Sequence, residues 1–375
     1  MVAANEGTML AVGLMSGTSM DGIDAALIET DGEGLNRRIG FHFIHYNEAT
    51  RERLRAACAQ AAGMAQPGPD PLIDEAAHDL TLAHAAAVRA LLAATGIAAA
   101  AVGVVGFHGQ TIAHRPERGW TWQIGDGALL SRLTGIRVVH DFRSADIAAG
   151  GQGAPLAPGY HRALASGLAR PLGVLNLGGV GNLTWFGADT WLSFDTGPGN
   201  ALIDDWVRSH TGADRDEGGA LAAGGAVHGD VLDTLLDNPW FDLAPPKSLD
   251  RDAWATQAVR GLSVEDGAAT LTAFTAATVD LALNHVPERP LRLLVTGGGR
   301  HNPSLMAMLA ARTGIAVDPV EMVAWHGDEL EAQAFAWLAV RVLAGKPTSW
   351  PETTGVPVAT TGGSVAEILR GSNHG

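Results

Sequence analysis

Apolar and polar positions fall into short runs separated by glycine-rich turns, a pattern that predicts alternating strands and helices. Leu10–Met15 and Ala25–Ile28 read as strands around a polar turn, Ser16–Gly22, and Arg37–His45 reads as a third strand. Arg51–Gln60 and Leu72–Thr95 have helical spacing on either side of the Pro/Gly-rich loop GMAQPGPDP. Val102–Gly106 is a buried strand, Ala128–Thr134 a helix and Arg137–Val139 a short strand. The next stretch, HDFRSADIAAGGQGAPLAP, is long, glycine-rich and without period, which marks a functional loop or crossover. The second half starts again with a strand, Leu172–Leu177. A turn GGVGN, a returning strand LTWFG, a third strand ending in DTGPGN and the helix ALIDDWVRSHTG follow. A helix over Leu271–Asn284, a strand over Leu291–Val295, the turn TGGGRHN, a helix from Pro303 and a long helix Glu329–Ala344 complete the chain.

Strand, glycine turn, strand, strand, helix therefore occurs twice, once from near Leu10 and again from near Leu172. This predicts an internal repeat of two α/β halves. A length of 375 residues agrees with ~2 domains at ~150 residues each.

Composition narrows the function classes. Hydrophobic residues make up 46% and charged residues 17%, enough for sizeable cores and against disorder. The net charge of −15 argues against a nucleic-acid groove or an anionic membrane surface as main partner. It does not forbid a small anion held by backbone amides. Cys58 is the single cysteine, so an internal disulfide and a cysteine-based zinc site are excluded. The N-terminal MVAANEGTMLAVG lacks the basic region of a signal peptide, and Thr95-Gly96 break the apolar run Ala90–Gly106. The expectation is a soluble, cytoplasmic protein with no membrane span.

The candidate chemistry lies in the turns. Gly17 and Gly22 free the backbone to present N–H groups to an anion, and Ser16, Thr18 and Ser19 add hydroxyls around Met20. Asp21 suits a phosphate site only with a cation between, for which Mg²⁺ through water is the candidate. Asp21-Gly22 equally makes an ordinary hairpin turn. Asn176, Gly178, Gly179 and Asn182 form the matching turn of the second half, and two such turns can grip one polyphosphate. No GxxxxGK[ST] motif occurs, so a P-loop is excluded, and the glycine turns join strands rather than opening helices, against a dinucleotide-binding unit. Asp195 ends a strand before a Gly-Pro-Gly turn, where a carboxylate can act as general base or simply cap the turn. His108, Gln110 and Thr111 in FHGQTIAHRP, with Gln123, Asp141 and Arg143, are expected on short loops, as donors and acceptors for a polyhydroxylated, acylated or carboxylated ligand. Two alternatives are a zinc site from His108 and His114 and plain structural loop residues. Gly297, Gly298 and Gly299 form a backbone shelf fit for a flat adenosine, with Asn302 able to cap the next helix.

These motifs occur together in one order: GLMSGTSMDGIDAALIE, GFHGQTIAHRP, WQIGDGALL, VVHDFRSADIAAGGQGAPLAP, VLNLGGVGNLTW, FDTGPGNALIDDW, VTGGGRHNPSLM and EAQAFAWLA. In that order the chain resembles the anhydro-N-acetylmuramic acid kinase family from about Leu10 to Ala339. The resemblance implies an α/β fold of two RNase H-like domains of the actin/sugar kinase/Hsp70 type with an active-site cleft between them. The domains are expected at 1–140 plus about 322–375, and at 141–321. It implies ATP and Mg²⁺, cytoplasmic peptidoglycan recycling, a homodimer, and the reaction of 1,6-anhydro-N-acetylmuramic acid, ATP and water to N-acetylmuramate 6-phosphate and ADP. Asp195 matches the family's catalytic base, Gly13–Asp24 its ATP turn, and Gly197 and Glu331 join the substrate side. Leu249-Asp250 depart from a Thr-Gly pair in the family's pattern. The competing readings are a kinase of an ordinary sugar hydroxyl and a non-catalytic actin/Hsp70-like nucleotide-binding module.

Overall fold

The structure is a computed structural model that describes residues 7–17, 19–249 and 254–368. The chain divides into two compact units. Residues up to Ser166, together with those from Glu329 onward, form the first; Gly167–Asp328 form the second. Residues 141–166 pack in the first unit: Tyr160 OH donates to Gln333 Oε1 at 3.0 Å, and Gly159 leaves room for the rings of Trp337 and Trp350.

The first unit carries β1 (Met9–Ser16), β2 (Gly22–Thr30), β3 (Asn36–His45), β4 (Val102–Arg115), β5 (Trp120–Ile124) and β6 (Val138–His140). The second carries β7 (Leu172–Leu177), β8 (Val180–Phe186), β9 (Trp191–Pro198), β10 (Arg292–Thr296) and β11 (Ala316–Pro319), and β12 (Ser364–Ala366) returns to the first. The first sheet has the order β12-β6-β4-β1-β2-β3 with β5 on β4, and the second β11-β10-β7-β8-β9. The series β3-β2-β1-β4-β6 and β9-β8-β7-β10-β11 match in order and in sense. Each has two antiparallel pairings followed by two parallel ones. Each half is thus an RNase H-like α/β unit, and the repeat read from element order is present in the pairing itself.

Packing explains why the central strands are glycine-marked. Gly13 on β1 and Gly106 on β4 are cross-strand partners. A Cβ at Gly13 would stand 1.7 Å from the Ala332 carbonyl oxygen, and one at Gly106 2.1 Å from that of Phe335. The helix Leu330–Leu343 therefore lies with its backbone directly on the sheet, which its Ala332, Ala336 and Ala339 permit. On the other face Leu14, Leu27, Leu80, Val88, Leu91 and Phe107 form the core of the first unit. In the second unit Leu175, Leu183, Phe194, Val279 and Leu293 form one cluster, and Trp206, Phe241, Phe274 and Val259 another.

Three expectations about the elements are corrected. The polar stretch after Val102–Gly106 is not loop: β4 runs unbroken to Arg115 and pairs with β5. Pairing supplies the regular hydrogen bonds that the polar side chains obscured. The helix expected from Leu271 begins at Val264, capped by Ser263 Oγ, which accepts from the Asp266 N–H at 3.0 Å. The aperiodic stretch after His140 contains a short helix, Ser144–Ala148, and leads into another, Pro158–Leu164. Among the described residues no helix is long and apolar enough to cross a membrane.

Candidate functional site

The first glycine turn is built on a buried hydroxyl cluster. Ser16 closes β1 with its Oγ 2.5 Å from Gln110 Oε1, to which it donates, and 2.9 Å from Tyr46 OH. A serine has one proton to give, so Tyr46 is the donor in the second contact. Burial, the main cause, pushes the Tyr46 phenol well above its ordinary range and keeps it protonated for that purpose. Gln110 Nε2 then donates to the Gly17 carbonyl at 3.2 Å, and the Met20 N–H reaches the same oxygen at 3.1 Å. Met20 sits at φ 54°, a left-handed conformation uncommon for its type. Gly22 is obligatory, because a Cβ there would meet the Ile44 carbonyl at 2.2 Å. Ser19 and Asp21 are exposed, with Ser19 Oγ donating to Asp21 Oδ1 at 2.8 Å. Thr18 lies outside the described residues.

Next to Ser16, within the same unit, a cavity of about 170 Å³ is lined by Met15, Ser16, His108, Thr111, His114, Arg143 and Ala154. His108 is buried and its protonation state follows from its partners. Arg143 donates to Nε2 from Nε at 3.2 Å and Nη2 at 3.0 Å. Nε2 is therefore the acceptor, and Nδ1 carries the proton given to the Gly109 carbonyl at 2.8 Å. Burial first, and the Arg143 charge second, hold this imidazole well below its usual range, in agreement with a neutral ring. Arg143 Nη1 donates to the Gly153 carbonyl at 2.8 Å. Buried Asp146 fixes that loop, accepting from the Gly153 N–H at 2.6 Å and Thr354 Oγ1 at 2.5 Å. Thr111 and Gln123 face each other across β4 and β5, with Gln123 Nε2 donating to Thr111 Oγ1 at 3.1 Å. Asp141, at φ 55°, accepts from Ser144 Oγ at 2.5 Å. Glu331 is half-buried on the helix Leu330–Leu343.

In the second unit, pairing aligns Thr296, Asn176, Asn182 and Asp195 in one row across β10, β7, β8 and β9. Asn182 Nδ2 donates to Asp195 Oδ1 at 2.9 Å, and the Leu249 N–H donates to Oδ2 at 2.7 Å. Both carboxylate oxygens are thereby oriented by a fixed donor. Gly178 and Gly179 form the β7–β8 turn. Their carbonyls accept from the N–H groups of Asn200 at 2.7 Å and Gly199 at 3.0 Å, so the turn is tied to the end of β9. Gly197 on β9 has φ 145°, and a Cβ there would strike Thr278 at 2.8 Å. Gly297 has φ 76° and its missing Cβ would lie 2.4 Å from Asn176 Oδ1; Gly298 and Gly299 continue into a tight turn. Asn302 caps the helix Pro303–Thr313, its Oδ1 accepting from the Leu305 N–H at 3.0 Å.

The structure thus joins Ser16 to Gln110, His108 to Arg143, Thr111 to Gln123, and Asn182 to Asp195. Sequence reading missed Tyr46, Gly153 and the contact that the strap from Lys247 to Leu249 makes with Asp195; Asp146 stood among the polar candidates beside Arg143, but its structural hold on Gly153 was not foreseen. The rarity of tyrosine and lysine, two of each in the chain, is the only sequence signal that singles out Tyr46 and Lys247.

A family profile described as anhydro-N-acetylmuramic acid kinase matches residues 9–367. The chain is 60% identical over 357 residues to the anhydro-N-acetylmuramic acid kinase of Rhizorhabdus wittichii, covering 95% of this chain and 98% of that protein. Its counterpart in Paramagnetospirillum magneticum is 56% identical over 359 residues, 95% and 99% of the two chains. That of Zymomonas mobilis subsp. mobilis is 52% identical over 365 residues, 96% and 100%.

Proposed function

The chain belongs to the anhydro-N-acetylmuramic acid kinase family, and on that premise we propose how its own residues carry the family's reaction. The protein is a phosphotransferase with an alcohol acceptor. ATP, water and 1,6-anhydro-N-acetylmuramic acid give N-acetylmuramate 6-phosphate and ADP, a step of peptidoglycan recycling. The substrate's bridge ties C1 to O6 in an internal acetal. Asp195 takes a proton from a water that attacks C1. The C1–O6 bond breaks, and O6 accepts the γ-phosphoryl group as the bond to the ADP oxygen breaks.

The observation that carries this reading is the two-point orientation of Asp195 by Asn182 and the Leu249 N–H. A general base works only at hydrogen-bond reach of the proton it removes, so a carboxylate fixed at both oxygens suits the role. The Leu249 contact is made by backbone, so the departure from the family's Thr-Gly pattern leaves it possible; Asp250 lies outside the described residues. His108 and Arg143 are assigned to the sugar with Gln110, Thr111, Gln123, Asp141, Gly197 and Glu331. The turns Ser16–Gly22 and Asn176–Asn182 are assigned to the phosphates of ATP, and Gly297–Gly299 with Asn302 to the adenosine. Because the Asn302 side-chain oxygen is committed to its helix cap, its part on that side is to hold the shelf in shape.

Mg²⁺ would find few protein donors. Among the described residues no group of three or more His, Cys, Asp or Glu could enclose a metal. Exposed Asp21 offers a single carboxylate. That set fits a cation that keeps most of its waters and takes its other ligands from phosphate. Bound in this way, it would neutralise charge on the phosphates. Cytoplasmic location and a homodimer are proposed on the family resemblance.

Asp195→Asn is expected to bind ATP normally and to lose turnover by about 10²–10⁴-fold, the usual worth of one general base. Rapid-quench turnover and ATP titration on the same preparation check it, and a near-normal rate would refute the assignment.

A further inference from the structure

Lys247 is buried, one of two lysines in the chain, and has no part in the reaction as set out above. Its Nζ donates to the carbonyls of Phe241 at 2.9 Å and Trp240 at 3.3 Å, and lies 4.4 Å from the centre of the Trp240 ring. Trp254 and Phe274 pack edge-on and tilted around the same pair of aromatics. The main chain of this lysine runs beside Asp195. The Asp195 N–H donates to the Lys247 carbonyl at 3.0 Å, and two residues on the Leu249 N–H reaches Asp195 Oδ2 at 2.7 Å. Residues 247–249 have no regular secondary structure of their own. The buried ammonium is therefore an anchor at one end of this strap, and the strap's other end touches the carboxylate.

We propose that Lys247, as an ammonium, is a positioning residue for Asp195: its grip on the Trp240 and Phe241 carbonyls holds residues 247–249 where the Leu249 N–H fixes the carboxylate. This rests on the reading of Asp195 as the base. The grip depends on charge. Hydrogen bonds from an ionised donor are roughly twice as strong as neutral ones, and the attraction to the Trp240 ring vanishes with the charge. Burial pushes the Lys247 ammonium down to about 8, against the opposing pull of the Asp242 and Asp195 carboxylates. His285 Nε2 meets the Phe241 carbonyl at 2.8 Å and so shares one of the two acceptors. The ammonium is present below that pH and lost as pH rises through it, so turnover falls on the alkaline side. Arginine stays charged throughout the same range.

The test compares turnover from about pH 6.5 to 9.5 for wild type, Lys247→Arg, Lys247→Met and Asp195→Asn, with ATP affinity measured on each. The wild type is expected to lose turnover by on the order of tenfold across this range with ATP affinity little changed. Lys247→Arg is expected to keep activity and lose the alkaline fall. Lys247→Met is expected to lose on the order of 10–100-fold at neutral pH, the scale of a misplaced catalytic group. A Lys247→Arg profile that falls together with the wild type overturns the proposal, and this reading needs no folded Met variant. Wild-type turnover in Lys247→Met beside an inert Asp195→Asn overturns it as well, while leaving the base assignment standing. Near-normal turnover in Asp195→Asn overturns both.

Discussion

Arg143 shows how much one side chain settles at the residue scale. Its guanidinium fixes the His108 tautomer through Nε2 and grips the Gly153 carbonyl, and it lines the cavity beside Ser16. If this group holds the carboxylate of the sugar, Arg143→Ala should raise KM for the anhydro-sugar by on the order of 10–100-fold, since a hydrogen bond to a charged group is worth about 1.5–3 kcal/mol. Lysine at this position should recover little, because it lacks the planar fork. Steady-state kinetics with the sugar varied at saturating ATP checks both, and an unchanged KM would remove Arg143 from the sugar side. Arg143, His108 and Gln110 were legible as polar residues clustered in two segments expected to be loops. Tyr46 was not, because its contact with Ser16 joins residues 30 positions apart through the fold. Asp195 was legible from the turn that follows it, but the Leu249 N–H was invisible, since every residue type but proline carries one.

At the element scale the decisive feature is the contact between the helix Leu330–Leu343 and the glycine pair of β1 and β4. Gly13→Ala would drive its methyl group into the Ala332 carbonyl. Overpacking of this kind costs ~3 kcal/mol or more when backbone is the obstacle. In a unit of this size that lowers Tm by on the order of 6–12 °C. Gly34→Ala, where nothing stands within 4 Å, is the control and should leave Tm nearly unchanged. Calorimetry decides, and equal Tm values for the two variants would mean that the helix does not lie as close as described. Helix and strand type were readable in runs such as Leu72–Thr95 and Leu172–Leu177, while the short helix Gly229–Leu236 and strand Ala316–Pro319 were not read. Boundaries failed where another force overrode the period. Pairing with β5 extended β4 through a polar stretch, and the Ser263 cap set the start of the helix Val264–Ala282 a full two turns early, with Gly267 making room for the Trp206 ring.

At the scale of the whole molecule, the repeat of element order predicted what the pairing shows, two sheets with the same central order and senses. Such order survives sequence divergence because it is set by which strands neighbour which, not by side-chain identity. The division of the chain was harder to read. Residues 141–166 lack a period, and their allegiance comes from contacts with the helix Leu330–Leu343, more than 160 positions away, such as that of Tyr160 with Gln333. The net charge of −15 also fits the account, in which the anionic groups of substrate and ATP are met locally by turns, Arg143 and a cation rather than by a basic surface. The account as a whole turns on one oxygen. In a single turnover run in H₂¹⁸O and quenched before the free sugar exchanges its anomeric oxygen, solvent label should appear at C1 of the product and nowhere in the transferred phosphoryl group. Unlabelled C1, or label in the phosphoryl group, would contradict it.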